Sequence, residues 1–508
     1  MTDCPCVEAE GIRGDTAMPQ QLQSLLAALG ESGVRYCHWK SNWRLESAVE
    51  LASDLDLLVH QEDARKFDAT LLSLGFCAVQ LSALESEAST SHFYGLDEDT
   101  GDIVHVHAYY RVITGGGLVK RYCLPLSEAL LASSRTICAI PVPSPEAELV
   151  VFVLRKAVEH GSVLEHPFVR RERPSMLEEF SWLERRANLD ESLRVLRQWV
   201  PSVPAELFLE AVDCLRRGAP TIRFYRIGRR VMQRLRSFAI RSPLVSLVLG
   251  WSRLVREAVR RIGRRSTRSA LPRGGLVIAF VGPEASGKST LLAETGNWLQ
   301  SFVSVSYAHA GKPPSTCVSL LPNLIVPAMR WLFPKSRINT VEVETSTESA
   351  GQHRKASLLY LVRSLLIAYD QRAVLRSAHR EARRGGIVLC DRYPSAGLGG
   401  MDGPRVDPSS FDAHAPLKRL LATGEQRIYQ SIPAPDLVFL LSVPLDVALQ
   451  RNATRTKRGG PEPEDYVRKR HALIERWSIP GVPVVSVDTN RSLQETQLVV
   501  RRAIWRMI

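Results

Sequence analysis

The feature that most constrains the fold of this chain is a glycine-rich loop that directly follows a short apolar run. Leu276 to Val281 (LVIAFV) is wholly apolar, as expected for a strand that is buried on both faces of a parallel sheet. Residues 282–289 then read GPEASGKS, and a helical pattern follows from Thr290 to Leu299. This is G-x-x-x-x-G-K-S in the strand–loop–helix context that the motif requires. The sequence therefore predicts an α/β domain with a phosphate-binding loop.

Each residue type in this loop has a physical reason to be there. Gly282 and Gly287 let the backbone curl so that its N–H groups face phosphates, and the helix N-terminus adds a partial positive charge. Lys288 is predicted to reach the β- and γ-phosphates, and the Ser289 hydroxyl is placed to ligate Mg²⁺. The predicted cofactors are therefore ATP and Mg²⁺. The residues predicted to bind the nucleotide are Gly282, Pro283, Glu284, Ala285, Ser286, Gly287, Lys288, Ser289 and Thr290.

Three later apolar runs fit the same parallel sheet. They are Gly386–Cys390, Leu437–Val443 and Val484–Val487, and helical sequence separates them, which is the rhythm of βαβ units. Asp391 stands at the carboxyl end of its predicted strand, where open α/β sheets bind ligands. An acid there suits Mg²⁺ or its waters, and Arg392 beside it balances phosphate charge. The alternative for this pair is a turn with a surface ion pair.

The order of these motifs resembles that of thymidylate kinases, a branch of the P-loop nucleoside-monophosphate kinases. The resemblance covers roughly residues 274–508 and rests on the loop, on Asp391-Arg392-Tyr393-x-Ser395, and on PDLVFLLSVPLDVALQR at 435–451. It implies transfer of the γ-phosphoryl group of MgATP to a nucleoside monophosphate, dTMP-like, or to a similar small phosphorylated acceptor. It also implies a lid whose arginines close on the transferring group, the alternative being a solvated arginine face. The catalytic residues implied are Lys288, Asp391, Arg392, Arg451, Arg455 and Arg458.

Two stretches depart from the thymidylate kinase pattern. In the loop, Glu284 and Ala285 replace the aspartate and the second glycine of Gly-x-Asp-Gly-x-Gly-Lys. After Tyr393 the chain reads PSAGLGGMDGPRVDPSS in place of a serine and an Ala-Tyr-Gln-type stretch. The resemblance therefore implies ATP binding more directly than it implies thymidylate as the acceptor.

Two aspartates in the N-terminal half, Asp54 and Asp56, lie two residues apart on a predicted strand. They point to one face, where two carboxylates can share a divalent metal. The turn Lys40-Ser41-Asn42 precedes them, and the phrases HWKSN and SDLDLLV resemble an uncharacterised nucleotidyltransferase family that is also found joined to kinase-like domains. The resemblance implies an α+β domain with Ser41 in its site and with Asp54 and Asp56 as metal ligands.

Two positions differ from the nucleotidyltransferase pattern. Lys40 stands where that family has its first glycine, and the predicted strand Ile103–His107 offers His105 in place of a third carboxylate. An imidazole is a poor ligand for hard Mg²⁺. For His105 and His107 the alternatives are a strand pair with ordinary hydrogen bonds, which we favour, and a zinc site. Two interpretations therefore stay open, an active nucleotidyltransferase and a domain that binds nucleotide without transferring it.

Positive charge is concentrated between Arg216 and Arg273. The 508 residues carry a net charge of +13, and this segment holds 17 arginines and one acid, so its charge is 17 − 1 = +16 and that of the rest is 13 − 16 = −3. Its apolar middle, Pro243–Trp251, is too short to span a bilayer. The open interpretations are a helical linker with a solvated basic face, a helix on anionic lipid, and contact with nucleic acid.

The length of the chain predicts more than one domain. The N-terminus MTDCPCVEAE has no secretion signal and the nine cysteines are scattered, so the predicted location is the cytoplasm, with or without attachment to a membrane. A homodimer, and a nucleotide-gated scaffold without enzymatic activity, also stay open. The predicted divisions are a disordered tail at 1–18, a nucleotidyltransferase-like domain at 19–143, a helical extension at 144–215, an Arg-rich helical linker at 216–273 and a thymidylate kinase-like domain at 274–508.

Overall fold

A computed structural model shows a chain of two compact units, each of which combines helices with a β-sheet. Residues 1–78 and 84–264 group in the N-terminal unit, and residues 79–83 and 265–508 group in the C-terminal unit. The predicted tail lies outside the described residues except for Met18. The structure describes residues 18–81, 89–115, 119–162, 166–219, 221–263, 269–311, 357–411, 414–455 and 460–508.

The sheet of the N-terminal unit places its strands in the order β1-β2-β5-β4-β3. Strands β2 and β5 run parallel with Asp56 beside His107, whereas β4 is antiparallel to β5. The predicted strands near residues 36, 55 and 103 are confirmed; β3 and β4 were not predicted. The strands are β1 (Tyr36–His38), β2 (Leu55–Val59), β3 (Cys77–Leu81), β4 (Thr90–Leu96) and β5 (Ile103–Tyr109), followed by the hairpins β6 (Val112–Gly115) with β7 (Lys120–Leu124) and β8 (Arg135–Ile137) with β9 (Ile140–Val142).

Helices enclose a large apolar core in this unit. Helix α5 begins where the sequence predicts, because the Ser144 hydroxyl accepts a hydrogen bond from the N–H of Ala147 at 3.3 Å and Pro145 occupies the first turn. Almost every apolar residue of α5 is buried in the core. The helices are α1 (Gln20–Ser32), α2 (Leu45–Val49), α3 (Ala64–Ser73), α4 (Ser127–Ala132), α5 (Pro145–His160), α6 (His166–Arg186), α7 (Leu189–Trp199), α8 (Ala205–Arg216), α9 (Thr221–Arg234) and α10 (Pro243–Gly263).

Helix α9 takes up the first part of the segment that the sequence predicts as a linker. Its arginines face outward, and one of them, Arg223, contacts Asp213 of α8 at 3.0 Å. A spacing of three or four residues places its apolar side chains on one helical face. Three of these side chains, Phe224, Ile227 and Val231, lie buried in the core of the N-terminal unit, and so does Leu235, directly after the helix. The first part of the basic segment is therefore a packed helix of that unit.

The C-terminal unit contains a five-stranded sheet in which all neighbouring strands are parallel, in the order β12-β13-β11-β14-β15. The four predicted strands are confirmed. Strand β12 was not predicted because its sequence, VSYAH, mixes polar and apolar residues. The elements are β10 (Ser269–Ala270), β11 (Val277–Val281), α11 (Lys288–Leu299), β12 (Val305–His309), α12 (Leu358–Ala382), β13 (Ile387–Asp391), α13 (Pro416–Gln430), β14 (Leu437–Ser442), α14 (Leu445–Ala453), α15 (Glu464–Ile474), β15 (Val484–Asp488) and α16 (Leu493–Trp505).

The strand order identifies the edge of this sheet where a ligand fits. The connection from β11 leads to one side of the sheet, to β12, and the connection from β13 leads to the other side, to β14. Such a reversal leaves a crevice beyond the carboxyl ends of the two strands. Residues 282–287 leave β11 at this edge, and Asp391, which pairs with Phe280, ends β13 there. The fold thus brings the two predicted motifs to one edge.

Among the described residues, no helix combines the length and the apolar character that crossing a bilayer demands.

Candidate functional site

The loop between β11 and α11 curls in the way its glycines permit. A Cβ atom on Gly282 would lie 2.8 Å from the Ser286 hydroxyl oxygen and 2.9 Å from the Leu441 Cβ atom, so no side chain fits there. Gly287 has a φ of 80° and Ala285 a φ of 60°, both in the left-handed region. Residues with a Cβ atom rarely adopt that region. Ala285 therefore occupies a backbone position that suits glycine, which is the residue expected there from the thymidylate kinase pattern.

The ammonium group of Lys288 lies inside this loop. It donates hydrogen bonds to the carbonyl oxygens of Gly282 at 2.9 Å and of Pro283 at 2.5 Å. Burial lowers the pKa of Lys288 to about 8, although the nearby Glu284 carboxylate opposes that shift. A buried cation in this position favours any anion that reaches the loop. Ser289, in the first turn of α11, is exposed.

Arg392 ties the turn after β13 to the loop after β11. Its guanidinium donates to Glu284 at 2.5 Å, and a second nitrogen lies 3.6 Å from Asp402. Its backbone N–H donates to the carbonyl oxygen of Phe280 at 3.0 Å. Burial opposes ionisation of Glu284, but Arg392 and Lys288 hold the pKa of that carboxyl below its usual value. Glu284 is therefore a charged anchor within the loop, and Arg392 is held next to it.

A second arginine completes this charged group, and the sequence analysis missed it. Arg470 of α15 is 6% exposed and donates to both carboxylate oxygens of Asp402, at 3.2 and 3.3 Å. Its Nε atom lies 3.9 Å from Glu284. Arg470 stands in a run of charged residues (VRKRH) that is typical of a solvated helix face, and Asp402 stands in a glycine-rich stretch. We call Glu284, Arg392, Asp402 and Arg470 the buried charge network.

The residues predicted to hold a metal ion in this unit have suitable chemistry. Asp391 is about one third exposed, and its carboxylate lies 3.6 Å from the His309 ring. The Ser289 hydroxyl and the Asp391 carboxylate both offer oxygen atoms, the ligands that Mg²⁺ prefers. The donor set at this edge of the sheet therefore fits Mg²⁺.

The predicted lid arginines differ in their surroundings. Arg451 donates to the carbonyl oxygen of Thr489 at 2.9 Å. Arg455 lies 3.6 Å from Glu462, and its charge also contributes to the low pKa of Glu284, so it is near the loop. Arg458 lies outside the described residues. Arg455 is thus the predicted lid residue whose charge reaches the loop in this structure.

The N-terminal unit gathers a second cluster of polar groups at β2 and β5. The ammonium group of Lys40 lies 2.8 Å from the Asp56 carboxylate and 2.8 Å from the Tyr109 hydroxyl. The Nδ1 atom of His107 lies 3.3 Å from Asp56 and 3.8 Å from Asp54. Candidate ligand atoms of the two aspartates and His107 all lie within 4.8 Å of one another. Burial opposes ionisation of Asp56, but Lys40 and His107 hold its pKa below the usual value.

The third side chain of this cluster is His107, and the prediction of His105 was wrong. The pairing of β2 with β5 places Asp56 beside His107. His105 instead stacks on Tyr94 with the ring centroids 4.3 Å apart and hydrogen-bonds the His92 ring at 3.1 Å. Burial lowers the pKa of His105 to about 4, so this imidazole is neutral near pH 7. The predicted poor fit to Mg²⁺ now applies to His107, which is also an imidazole.

The buried charge network predicts a contrast between two arginines on one helix. Arg470→Met should lower the free energy of unfolding by roughly 3–5 kcal/mol, because it leaves Asp402, whose side chain is only 13% exposed, without a partner that donates to both of its oxygens. Arg468→Met is the matched control. Arg468 is 51% exposed and contacts only Glu464, at 3.8 Å, among the ion pairs of the described residues, so its loss should cost about 0.5 kcal/mol or less. Chemical denaturation of the full chain measures both, and equal effects would contradict the assignment.

Comparisons with known proteins find similarity over part of the chain. No protein-family model matches the chain. The uncharacterised ATP-binding protein YghR of Escherichia coli is 28% identical over 234 residues, which cover 45% of this chain and 86% of YghR. YghS of Escherichia coli, also described as an uncharacterised ATP-binding protein, is 24% identical and covers 45% of this chain and 92% of YghS. Deoxyadenosine kinase from M. mycoides, solved with bound dATP, covers 45% of this chain and 98% of its own at 13% identity and a TM-score of 0.27.

Proposed function

We propose that this chain is a P-loop phosphotransferase that moves the γ-phosphoryl group of MgATP to a small phosphorylated acceptor. The observation that carries the proposal is the position of the Lys288 ammonium group, inside a glycine-shaped loop and next to Arg392. The two Escherichia coli relatives are described as ATP-binding proteins, which supports ATP as the donor. A nucleoside monophosphate such as dTMP is the acceptor closest to the family that the C-terminal sequence resembles.

The residues of the loop would hold the triphosphate by exchanging partners. Lys288 now donates to the carbonyl oxygens of Gly282 and Pro283, and an ammonium group has three donors that can turn to phosphate oxygens instead. The backbone N–H groups at the start of α11 add a partial positive charge. Binding of the β- and γ-phosphates would therefore keep Lys288 protonated at a site where burial alone disfavours its charge.

The remaining charged residues would act on the group that is transferred. Phosphoryl transfer needs little covalent chemistry from the protein, so positioning and neutralisation of charge supply most of the catalysis. Arg392, fixed by Glu284, would face the developing charge in one orientation, and Arg455 would add a second cation. Ser289 and Asp391 would hold Mg²⁺, which, when bound, neutralises charge on the phosphate oxygens. Arg451 stays a predicted lid residue.

Loss of the Lys288 ammonium group should abolish turnover. Lys288→Met should lower acceptor-dependent ADP formation by at least about a hundredfold. This is the typical effect of removing one preorganised hydrogen-bond donor that stabilises negative charge in the transition state. The assay is ADP release from MgATP, screened against nucleoside monophosphates, including dTMP, and sugar phosphates. Lys469→Met, an exposed lysine on α15, is the matched control and should leave the rate unchanged. The proposal would be contradicted if Lys288→Met kept the rate of the natural chain, or if none of the screened compounds increased ADP release.

A second candidate function is metal-dependent nucleotidyl transfer by the N-terminal unit. The observation that favours it is the approach of Asp54, Asp56 and His107, whose ligand atoms lie within 4.8 Å of one another. Two carboxylates and one imidazole suit a divalent transition metal such as Mn²⁺ better than they suit Mg²⁺. Lys40 opposes this function, because its ammonium group already neutralises Asp56. The choice between a transferase and a nucleotide-binding domain thus depends on whether a metal ion can displace Lys40.

Titration of the nucleotide-free chain with Mn²⁺ in a calorimeter tests the second function. Asp56→Asn should abolish the binding, and Lys40→Met should strengthen it by about tenfold, since one competing unit charge is removed. Asp99→Asn, at an exposed aspartate of the same unit, is the control and should change nothing. Equal Mn²⁺ binding by the natural chain and by Asp56→Asn would rule out metal-dependent transfer at this cluster.

A further inference from the structure

Helix α10 exposes most of its large apolar side chains. Gly250 is buried and Arg253 is half-buried, whereas Leu244 is 75% exposed and Trp251 is 55% exposed. A helix that packs against the core of its own domain buries such side chains instead. The exposed large apolar side chains of α10 are Leu244, Val245, Leu247, Val248, Trp251, Val255 and Val259.

Five of these side chains form one continuous stripe. Leu244, Val248, Trp251, Val255 and Val259 are spaced by four, three, four and four residues, which keeps them on one side of a helix. At 1.5 Å per residue the stripe is about 22 Å long. No described helix or strand packs extensively along α10. A contiguous exposed apolar surface of this size marks a site of interaction.

The charge around the stripe identifies the kind of surface that it fits. Residues 241–268 contain eight arginines, no lysine and one acid, Glu257, so their net charge is 8 − 1 = +7. Arg256 is exposed. It lies two turns after Leu249, on the same side of the helix as that residue, and this side borders the stripe. The chain outside the Arg-rich segment carries a net charge of −3. The apolar stripe thus sits within the strongly positive part of an otherwise slightly acidic protein.

We infer that α10 binds the surface of an anionic lipid bilayer, lying in the plane of the headgroups. An apolar stripe that contains a tryptophan and lies in an arginine-rich segment has the composition of helices that bind this interface. Each arginine near an anionic surface adds to the attraction. Arginines within the second half of α10 prevent it from spanning the bilayer, in agreement with the length of its apolar run.

Two other occupants fit the same observations less well. A second copy of this chain would cover the stripe with an identical one and would bring two segments of +7 together, which costs repulsion. A nucleic acid would satisfy the arginines but would leave the apolar stripe in water, because phosphates contact cations and polar groups. This inference does not depend on the proposed phosphotransferase activity, since it involves none of the loop residues.

Sedimentation of the full chain with lipid vesicles tests the inference. The chain should bind vesicles of phosphatidylcholine mixed with phosphatidylserine, and should bind pure phosphatidylcholine weakly, with the difference lost at high salt. Replacing Val248, Trp251 and Val255 together by serine should reduce binding by at least about tenfold. The matched control replaces Leu417 and Leu420, two exposed leucines of α13, by serine, and should bind as the natural chain does.

A second measurement covers the case in which the triple variant does not fold. Brominated anionic lipids should quench part of the tryptophan fluorescence of the natural chain, and Trp251→Phe should bind equally well with less quenching. Binding that ignores lipid charge, or a folded triple variant that binds vesicles as the natural chain does, would overturn the inference. A third result would also overturn the inference: the natural chain binds no vesicles and forms a dimer, and the triple variant is a monomer. Helix α10 would then be a contact between two copies of the chain.

Discussion

The buried charge network is the interaction on which the C-terminal site depends. Two carboxylates, Glu284 and Asp402, are held ionised by two arginines, Arg392 and Arg470, in surroundings that disfavour any single unpaired charge. The network joins the loop after β11, the turn after β13 and helix α15. Because removal of one partner would leave a charge uncompensated, the ion pairs favour one geometry of the three segments. Lys288 lies in the loop that this geometry fixes.

A lysine also determines the chemistry of the N-terminal cluster, with the opposite effect. Lys288 contacts neutral carbonyl oxygens, so an incoming phosphate meets a cation that no carboxylate of the described residues contacts directly. Lys40 contacts the Asp56 carboxylate, so an incoming metal ion meets a ligand that is already neutralised. The first arrangement favours binding of an anion and the second disfavours binding of a cation. The loop is therefore the stronger candidate for binding MgATP, and the carboxylate cluster is the weaker candidate for binding a catalytic metal ion.

Local patterns predicted the parts of the fold that local physics determines. The strand–loop–helix at residues 276–299 and the helix start at Ser144 follow from apolar runs, glycines and a cap, and the structure has them. Strand β12 could not be predicted, because its sequence mixes polar and apolar residues. The contact between Asp402 and Arg470 could not be predicted either, because only tertiary packing brings these two charges together. His105 and His107 share one face of β5, so only the register with β2 decides which of them meets Asp56.

The proposed phosphotransferase activity requires that the loop bind the β- and γ-phosphates of a nucleotide through Lys288 and backbone N–H groups. Calorimetry of the full chain with ATP, ADP and AMP in the presence of Mg²⁺ tests it most directly. We expect ATP and ADP to bind at least about tenfold more tightly than AMP, because AMP lacks the phosphates that the loop would contact. AMP binding as tight as that of ATP, or no binding of any of the three, would contradict the claim.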